Sequence, residues 1–348
     1  MMSGVLLLLV ISIIVVVIFD ITNGFHDASN MVGTLVASRA LTPAQAIALV
    51  GIFTFLGPVL GGTAVADTIG SVVDVKQLSP LHAQVILLCS VTAAVAWNLV
   101  TWLFSLPSSS SHALVGGLAG AVIIGIGSSH VVWGIDQLYA GKLIGVTKIV
   151  LSLFISPLLG FVSGYLLHKF MRFMLRRARP SVDRSLCRAQ WLTAGAMAFA
   201  HGTNDAQKGM AIITLLLVSG GFLKEFQVPM WVIGLCALSM TIGTMMGGWR
   251  IIRTVGYGIY RLRPLHGFDA QLASSSVILS ASVFGGPVST THVVSTSIMG
   301  VGASEKPREV RWGVAGEMAL AWLLTLPGAG VFSGLIYLLI KYSTGLTG

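Results

Sequence analysis

A carboxylate within a long apolar run restricts the possible folds of this chain more than any other feature of its sequence. Asp27 lies in the octet Asn23-Gly24-Phe25-His26-Asp27-Ala28-Ser29-Asn30, inside apolar sequence that extends from Gly4 to Ser38. An Asp at the centre of a membrane helix costs roughly 3 kcal/mol on insertion scales, and it is tolerated where it faces the protein interior. The octet therefore predicts a functional site inside a membrane helix.

The composition supports this reading. The 348 residues are 55% hydrophobic and 9% charged, against about 25% charged in soluble domains. We predict an all-α integral membrane protein with ten apolar segments, since a span needs about 20 apolar residues. The segments lie near 4–38, 44–66, 82–104, 112–128, 149–167, 190–218, 228–248, 270–285, 290–304 and 312–340. The start has no basic region or clear cleavage site, so a cleaved signal peptide is not expected.

Three blocks recur in the same order and predict an internal duplication. The octet matches His201-Gly202-Thr203-Asn204-Asp205-Ala206-Gln207-Lys208, and Pro107-Ser-Ser-Ser-Ser-His112 matches Pro287-Val-Ser-Thr-Thr-His292. Between them, Gly61-Gly62 with Thr68 and Gly70 matches Gly247-Gly248 with Thr254 and Gly256. We predict a first membrane repeat over 1–167, a basic linker over 168–189 and a second repeat over 190–348.

Five segments in each repeat would give the two copies inverted topologies. With both termini outside, most of the 21 Lys and Arg residues fall on cytoplasmic loops and on the linker, as the positive-inside rule requires. The net charge of +9 is explained in the same way, and no nucleic-acid partner is expected. The predicted location is the cell membrane, with lipid around a multi-pass chain.

One pair of segments in each repeat is too short for two crossings. Asp269 and Glu305 bracket only residues 270–304, whereas two spans need about 40. We predict re-entrant hairpins that carry the Ser/Thr motifs, with breaks at Gly285-Gly286-Pro287 and around Pro107. Irregular backbone at membrane depth is tolerated where it lines a cavity within the protein.

Each hydroxyl cluster precedes an apolar segment and so lies at a predicted helix N-terminus. Free N–H groups, a partial positive charge and hydroxyl donors make such an end suitable for an oxyanion. The alternative is that the hydroxyls only cap their own helices. Asp27 and Asp205 repel an anion, since like charges 5 Å apart cost about 3 kcal/mol at an effective dielectric of 20. A bound anion there requires protons or metal cations as compensation.

Histidine and lysine side chains near the two octets extend this site. His26, His112, His201 and His292 are candidate proton acceptors because unperturbed histidine titrates near neutrality, although each is equally readily explained as a hydrogen-bonded interior residue. Lys208 is either a direct anion contact or an ion-pair partner of an Asp.

These motifs closely resemble the signatures of the inorganic phosphate transporter (PiT) family in both halves of the chain. The resemblance implies an inverted-repeat carrier that binds phosphate near the midplane and works by alternating access. The implied substrate site, completed by neighbouring hydroxyls and by Lys208, consists of Asp27, Asn30, Ser109, Ser110, Ser111, Asn204, Asp205, Lys208, Ser289, Thr290 and Thr291. The expected cation-coupling residues are His26, Asp27, Asp205, His112, His201 and His292, with Asp27 and Asp205 as candidate metal ligands.

The sequence departs from the sodium-coupled members of that family. Their first motif resembles Gly-Ala-Asn-Asp, where this chain has His26 before Asp27; Lys208 stands where their second motif ends in Asn, and Thr54 lies near the position of a glutamate. The pattern is more similar to the bacterial low-affinity branch, which couples to protons and carries metal–phosphate complexes. We therefore expect no covalent cofactor, and a co-transported proton or sodium ion, with a divalent metal as a companion of phosphate.

Other functions remain open on the sequence alone. Hydroxyls and helix ends would also accept sulfate or another tetrahedral oxyanion, and a phosphate channel would need the same site. A membrane hydrolase using Ser110 or Ser111 with His112 is disfavoured, because adjacent residues on one helix seldom form a nucleophile–base pair. We predict a transporter and not an enzyme, and leave open whether it forms a homo-oligomer.

Overall fold

The computed structural model describes residues 2–73, 78–104, 108–179, 181–247 and 259–345. Within these ranges the chain forms α-helices and short turns, and no strand is present. The helices are α1 (Met2–Ala37), α2 (Pro43–Leu60), α3 (Ala64–Gly70), α4 (Pro80–Leu103), α5 (Ser110–Ile126), α6 (Ile135–Tyr139), α7 (Gly145–Met174), α8 (Val182–Ser219), α9 (Met230–Met246), α10 (Pro264–Val283), α11 (Thr290–Glu305) and α12 (Trp312–Thr344).

Five of these helices contain segments long and apolar enough to cross a membrane: Gly4–Ala37, Pro43–Leu60, Pro80–Leu103, Gly145–Met174 and Ala319–Thr344. α5 and α9 are shorter apolar helices of 17 residues each. α8 is longer, with 38 residues, but it is more polar. The all-helical prediction is confirmed, and the described helices account for the predicted apolar segments with shifted ends.

Local sequence sets the helix boundaries. Thr42 caps α2 in a capping box with Gln45, and Ser79 caps α4 just before Pro80. The predicted segment 44–66 ends early, at Leu60, because Gly61-Gly62 follows and Gly62 has a φ of +80°. Most of the predicted linker is helical: α7 continues to Met174 and α8 begins at Val182. Its Lys and Arg residues are good helix formers.

Some of the predicted features lie outside the described residues. They include the predicted break at Pro107, the block Gly248, Thr254 and Gly256, and the basic residues Arg250 and Arg253. The break before α11 is described, and there Gly285 has a φ of +67°. Such a conformation favours glycine because it has no Cβ.

The helices pack in a reciprocal pattern. α1 packs against α9 and α2 packs against α8, while α5 packs against α12 and α11 packs against α7. Each of these pairs joins a helix that lies mostly before the predicted linker 168–189 to one that lies mostly after it. The two halves therefore interleave and do not form separate bundles.

Glycines of the two octets allow close approach of the backbones at two of these crossings. A Cβ at Gly24 would overlap the carbonyl oxygen of Met240 on α9, and a Cβ at Gly202 would overlap that of Thr54 on α2. Small residues let membrane helices approach at their backbones. The same octets that carry the carboxylates thus also set the distance between the helices.

We expect Gly24→Ala and Gly202→Ala each to lower the free energy of unfolding by about 1–3 kcal/mol, as overpacking does in a tight interface. Gly234→Ala on α9 is the matched control, because nothing lies within 4 Å of a Cβ there. Thermal unfolding in detergent, followed by circular dichroism, measures the difference. Equal melting temperatures for Gly24→Ala and Gly234→Ala would show that the crossing is looser than described.

Candidate functional site

The two octets lie inside the long helices α1 and α8. Apolar clusters pack on both sides of them: Phe19 and Met210 belong to one cluster, and Met31 and Ala198 belong to the other. Between these clusters the polar side chains of the octets are buried; Asp27 is 3% exposed and Asp205 is 0% exposed. The chain thus holds a closed polar layer between two apolar ones.

Asp27 is held by side chains of its own helix and of α11. Its Oδ1 accepts hydrogen bonds from Asn30 Nδ2 at 3.0 Å and from Thr291 Oγ1 at 2.5 Å. Its Oδ2 accepts a longer bond from Thr290 Oγ1 at 3.4 Å. Asn30 Nδ2 also donates to Thr291 Oγ1 at 3.0 Å. The start of α11 is therefore tied directly to the first carboxylate.

Asp205 is held by a cation that also contacts the start of α5. Lys208 Nζ lies 3.0 Å from Asp205 Oδ2 and donates to Ser110 Oγ at 3.0 Å. Asn23 Nδ2 on α1 donates to the same carboxylate oxygen at 3.4 Å, and Thr290 Oγ1 does so at 3.3 Å. Thr290 thus links the two carboxylates, and Lys208 joins the second of them to the Ser cluster.

Both hydroxyl clusters begin helices, as the sequence predicted. α5 starts at Ser110 and α11 starts at Thr290, and their first turns carry no acidic residue. The side chains of Ser110, Thr290 and Thr291 all reach the carboxylate network. Two helix N-termini, each with a partial positive charge, therefore meet at the layer that contains Asp27 and Asp205.

Two histidines lie beside the carboxylates. His201 Nδ1 is 3.7 Å from Asp205 Oδ2, and His26 Nδ1 is 4.0 Å from Asp27 Oδ1. Ligand atoms of Asp27, His201 and Asp205 lie within 4.8 Å of one another, close enough to hold a metal ion. With neutral histidines, two carboxylates and Lys208 give the cluster a formal charge of −1, which is unfavourable for an anion.

The remaining predicted residues lie next to this network without joining it. Ser109 and Ser289 accept hydrogen bonds from the backbone N–H groups of His112 and His292 and so cap α5 and α11, which is the alternative that the sequence left open. The ring centroids of His112 and His292 are 4.9 Å apart. These two histidines pack on each other across the two helix starts.

Ser111 and Asn204 bind the segment that precedes α11. Ser111 Oγ donates to the carbonyl oxygen of Val288 at 2.8 Å. Asn204 Oδ1 accepts from the Val288 N–H at 3.2 Å, and its Nδ2 donates to the Gly286 carbonyl at 3.2 Å. In this structure both side chains brace the chain that leads into the helix start, instead of pointing at the carboxylates.

A second buried cluster was not foreseen from the sequence. His168 Nδ1 lies 2.7 Å from Asp269 Oδ2, and His266 Nε2 lies 2.6 Å from Glu305 Oε2. The two histidine rings are 5.0 Å apart, at the place where α7, α10 and α11 meet. The residues are up to 137 positions apart, so no local spacing pointed to them. Asp20 is a second buried acid on α1; the sequence analysis did not assign it a role, although it interrupts the same apolar run as Asp27.

Comparison with known proteins defines the class. The family described as "Phosphate transporter family" (PHO4) matches residues 23–187 and 176–333. A protein of Bacillus subtilis named "Probable low-affinity inorganic phosphate transporter" is 38% identical over 98% of this chain and 99% of its own. A Rhizobium meliloti protein of the same name is 40% identical over 95% of this chain and 96% of its own length. One from Mycobacterium tuberculosis is 41% identical over 99% of this chain and 80% of its own length.

The chain belongs to the phosphate transporter family, in agreement with the resemblance of its motifs. The named relatives are transporters, so the chain belongs to a class of transporters and not of enzymes, and it is a multi-pass membrane protein. A solved structure titled "The sodium-dependent phosphate transporter" has the same fold, with a TM-score of 0.86 over 96% of this chain and 99% of the other. Its identity of 24% limits the likeness to the fold.

Proposed function

We propose that this protein imports inorganic phosphate across the cell membrane by symport with a cation, and that the cation is a proton. The observation that carries the proposal is the convergence of two helix N-termini on two buried carboxylates, with Lys208 bridging Asp205 to Ser110. The names of the relatives supply phosphate as the oxyanion. The similarity of the motifs to the low-affinity branch favours the proton over sodium.

Phosphate would bind between the starts of α5 and α11. Ser110, Thr290 and Thr291 are the hydroxyl donors whose side chains already face the polar layer, and Lys208 is its ammonium donor. Asp27 and Asp205 now accept the bonds of these groups. Binding therefore requires that the donors transfer from the carboxylates to phosphate, which becomes favourable when the carboxylates are neutralised.

The charge of the cluster explains the need for a co-transported cation. The formal charge of −1 disfavours a phosphate anion. Protons taken up at the carboxylates or at His26 and His201 would remove that barrier. A divalent metal that travels with phosphate is an alternative carrier of positive charge, and the grouping of Asp27, His201 and Asp205 supports it.

Alternating access would use the two repeats, 1–167 and 190–348, as inverted halves joined by the cytoplasmic linker 168–189. The reciprocal packing of α1 with α9 and of α2 with α8 supports this arrangement. In such carriers the site lies at the interface of the repeats and one repeat rocks against the other. α5 and α11 would then be the inner arms of the re-entrant hairpins.

Uptake of radiolabelled phosphate into proteoliposomes tests the proposal. We expect an inward proton gradient to drive accumulation, an inward sodium gradient to have no effect, and excess sulfate to compete weakly. Uptake that ignores both gradients would indicate a channel and contradict symport. Strong competition by sulfate would change the assigned substrate, and dependence on a divalent metal would identify metal–phosphate as the transported species.

A further inference from the structure

Asp20 is a fully buried acidic side chain that the proposed mechanism does not use. It lies on α1 seven residues before Asp27, which is two helical turns or about 10.5 Å along the same face. Its side chain is 0% exposed. Neither of its carboxylate oxygens has a hydrogen-bond partner within ordinary distance among the described residues. An isolated carboxylate ion in an apolar interior is very costly, so the group needs a proton or a cation.

The surroundings of Asp20 favour a proton over a metal cation. The carboxylate packs on the backbone of α8 at Gly209, where a Cβ would overlap both of its oxygens. The Cys236 thiol of α9, a weak donor, lies beside it. Hard metal cations take about six oxygen ligands, and this site offers one carboxylate against a glycine and a thiol. A proton needs a single oxygen.

The position of Asp20 couples it to the carboxylate network. Its electrostatic environment includes Lys208 and Asp205 of α8, and Gly209, against which it packs, follows Lys208 directly in the chain. Asn23, one turn after Asp20 on α1, donates to Asp205 Oδ2 at 3.4 Å. A displacement of Lys208 from Asp205 towards phosphate would therefore change the electrostatic potential at the Asp20 carboxyl group.

We infer that Asp20 is a proton-binding site of the transport cycle, separate from Asp27 and Asp205, which holds a proton while it is buried as in this structure and releases it on the other side. The inference rests on the proposed function, because it assigns one of the transported protons to a residue. No covalent bond other than the O–H bond of the carboxylic acid forms or breaks.

Asp20→Asn tests this assignment, with the exposed Asp136 of α6 as the matched control in Asp136→Asn. The measured quantity is the steady-state accumulation of phosphate in proteoliposomes at a clamped membrane potential. One coupled proton supplies about tenfold accumulation per pH unit of gradient. We expect Asp20→Asn to keep phosphate exchange at equal pH and to lose about tenfold in accumulation per pH unit, and Asp136→Asn to match the wild type.

The outcomes separate the inference from the proposed function. If the wild type does not respond to the proton gradient, the proposed coupling fails. If the wild type responds and Asp20→Asn accumulates phosphate equally, the assignment of Asp20 fails. Asp20→Ser covers the case in which Asp20→Asn does not fold, because the smaller side chain removes the same carboxyl group and fits against Gly209. Wild-type accumulation per pH unit in Asp20→Ser would overturn the assignment, whereas a loss of about tenfold per pH unit supports it.

Discussion

Asp27→Asn is expected to reduce proton-driven phosphate uptake by about 100-fold, because the amide cannot take up the coupling cation and because the start of α11 loses two charge-assisted hydrogen bonds of about 1.5 kcal/mol each. The carboxylate accepts bonds from Asn30, Thr291 and Thr290. An amide in its place turns an N–H group towards these donors and also removes the group that would take up a cation. The start of α11 then loses its attachment to α1.

Initial rates of phosphate uptake under an imposed proton gradient measure this effect. Asp136→Asn serves again as the control, because it makes the same chemical change on an exposed side chain. Gradient-driven uptake at the wild-type rate in Asp27→Asn would show that this carboxylate is not part of the coupling. Loss of uptake with unchanged thermal stability would locate the effect in transport and not in folding.

Lys208→Met is expected to lower the free energy of unfolding by about 3–5 kcal/mol, the usual consequence of leaving one member of a buried ion pair without its partner. Lys208 is 1% exposed and Asp205 is 0% exposed, so water does not replace the lost ammonium. The double variant Asp205→Asn/Lys208→Met removes both charges. It should recover most of the stability while remaining inactive in phosphate uptake.

Lys306→Met is the matched control for this prediction. Lys306 Nζ lies 2.6 Å from Glu309 Oε1, at the same sequence spacing as Asp205 and Lys208, but both side chains are about half exposed. Its loss should cost at most about 1 kcal/mol, as for other exposed pairs. Thermal unfolding in detergent compares the variants. Equal melting temperatures for Lys208→Met and Lys306→Met would contradict the predicted contribution of the buried Asp205–Lys208 ion pair to stability.

Much of the site was predictable because a membrane restricts the sequence so strongly. Buried polar groups stand out in apolar runs, and the matched motifs of this chain show the two octets and the two hydroxyl clusters side by side. Asp27, Asp205 and the hydroxyls at the starts of α5 and α11 were predicted in this way.

A further recurring motif is explained only by the packing. It is Pro157-Leu-Leu-Gly160-Phe-Val-Ser163-Gly164 in α7 and Pro327-Gly-Ala-Gly330-Val-Phe-Ser333-Gly334 in α12. A Cβ at Gly164 would overlap the backbone of Ser297 on α11, and one at Gly120 on α5 would overlap that of Gly330.

The sequence by itself determined the helical class, the buried carboxylates and the helix starts, because each of these follows from local hydropathy, spacing and capping, and it predicts the duplication. Only the tertiary structure decided which donors reach which acid. Side chains far apart in the chain meet through helix crossings, and crossing geometry depends on where glycines let backbones touch. For that reason Lys208 is found with Ser110, Asn204 with the backbone before α11, and Asp20 against Gly209, partners that no spacing along the chain could reveal.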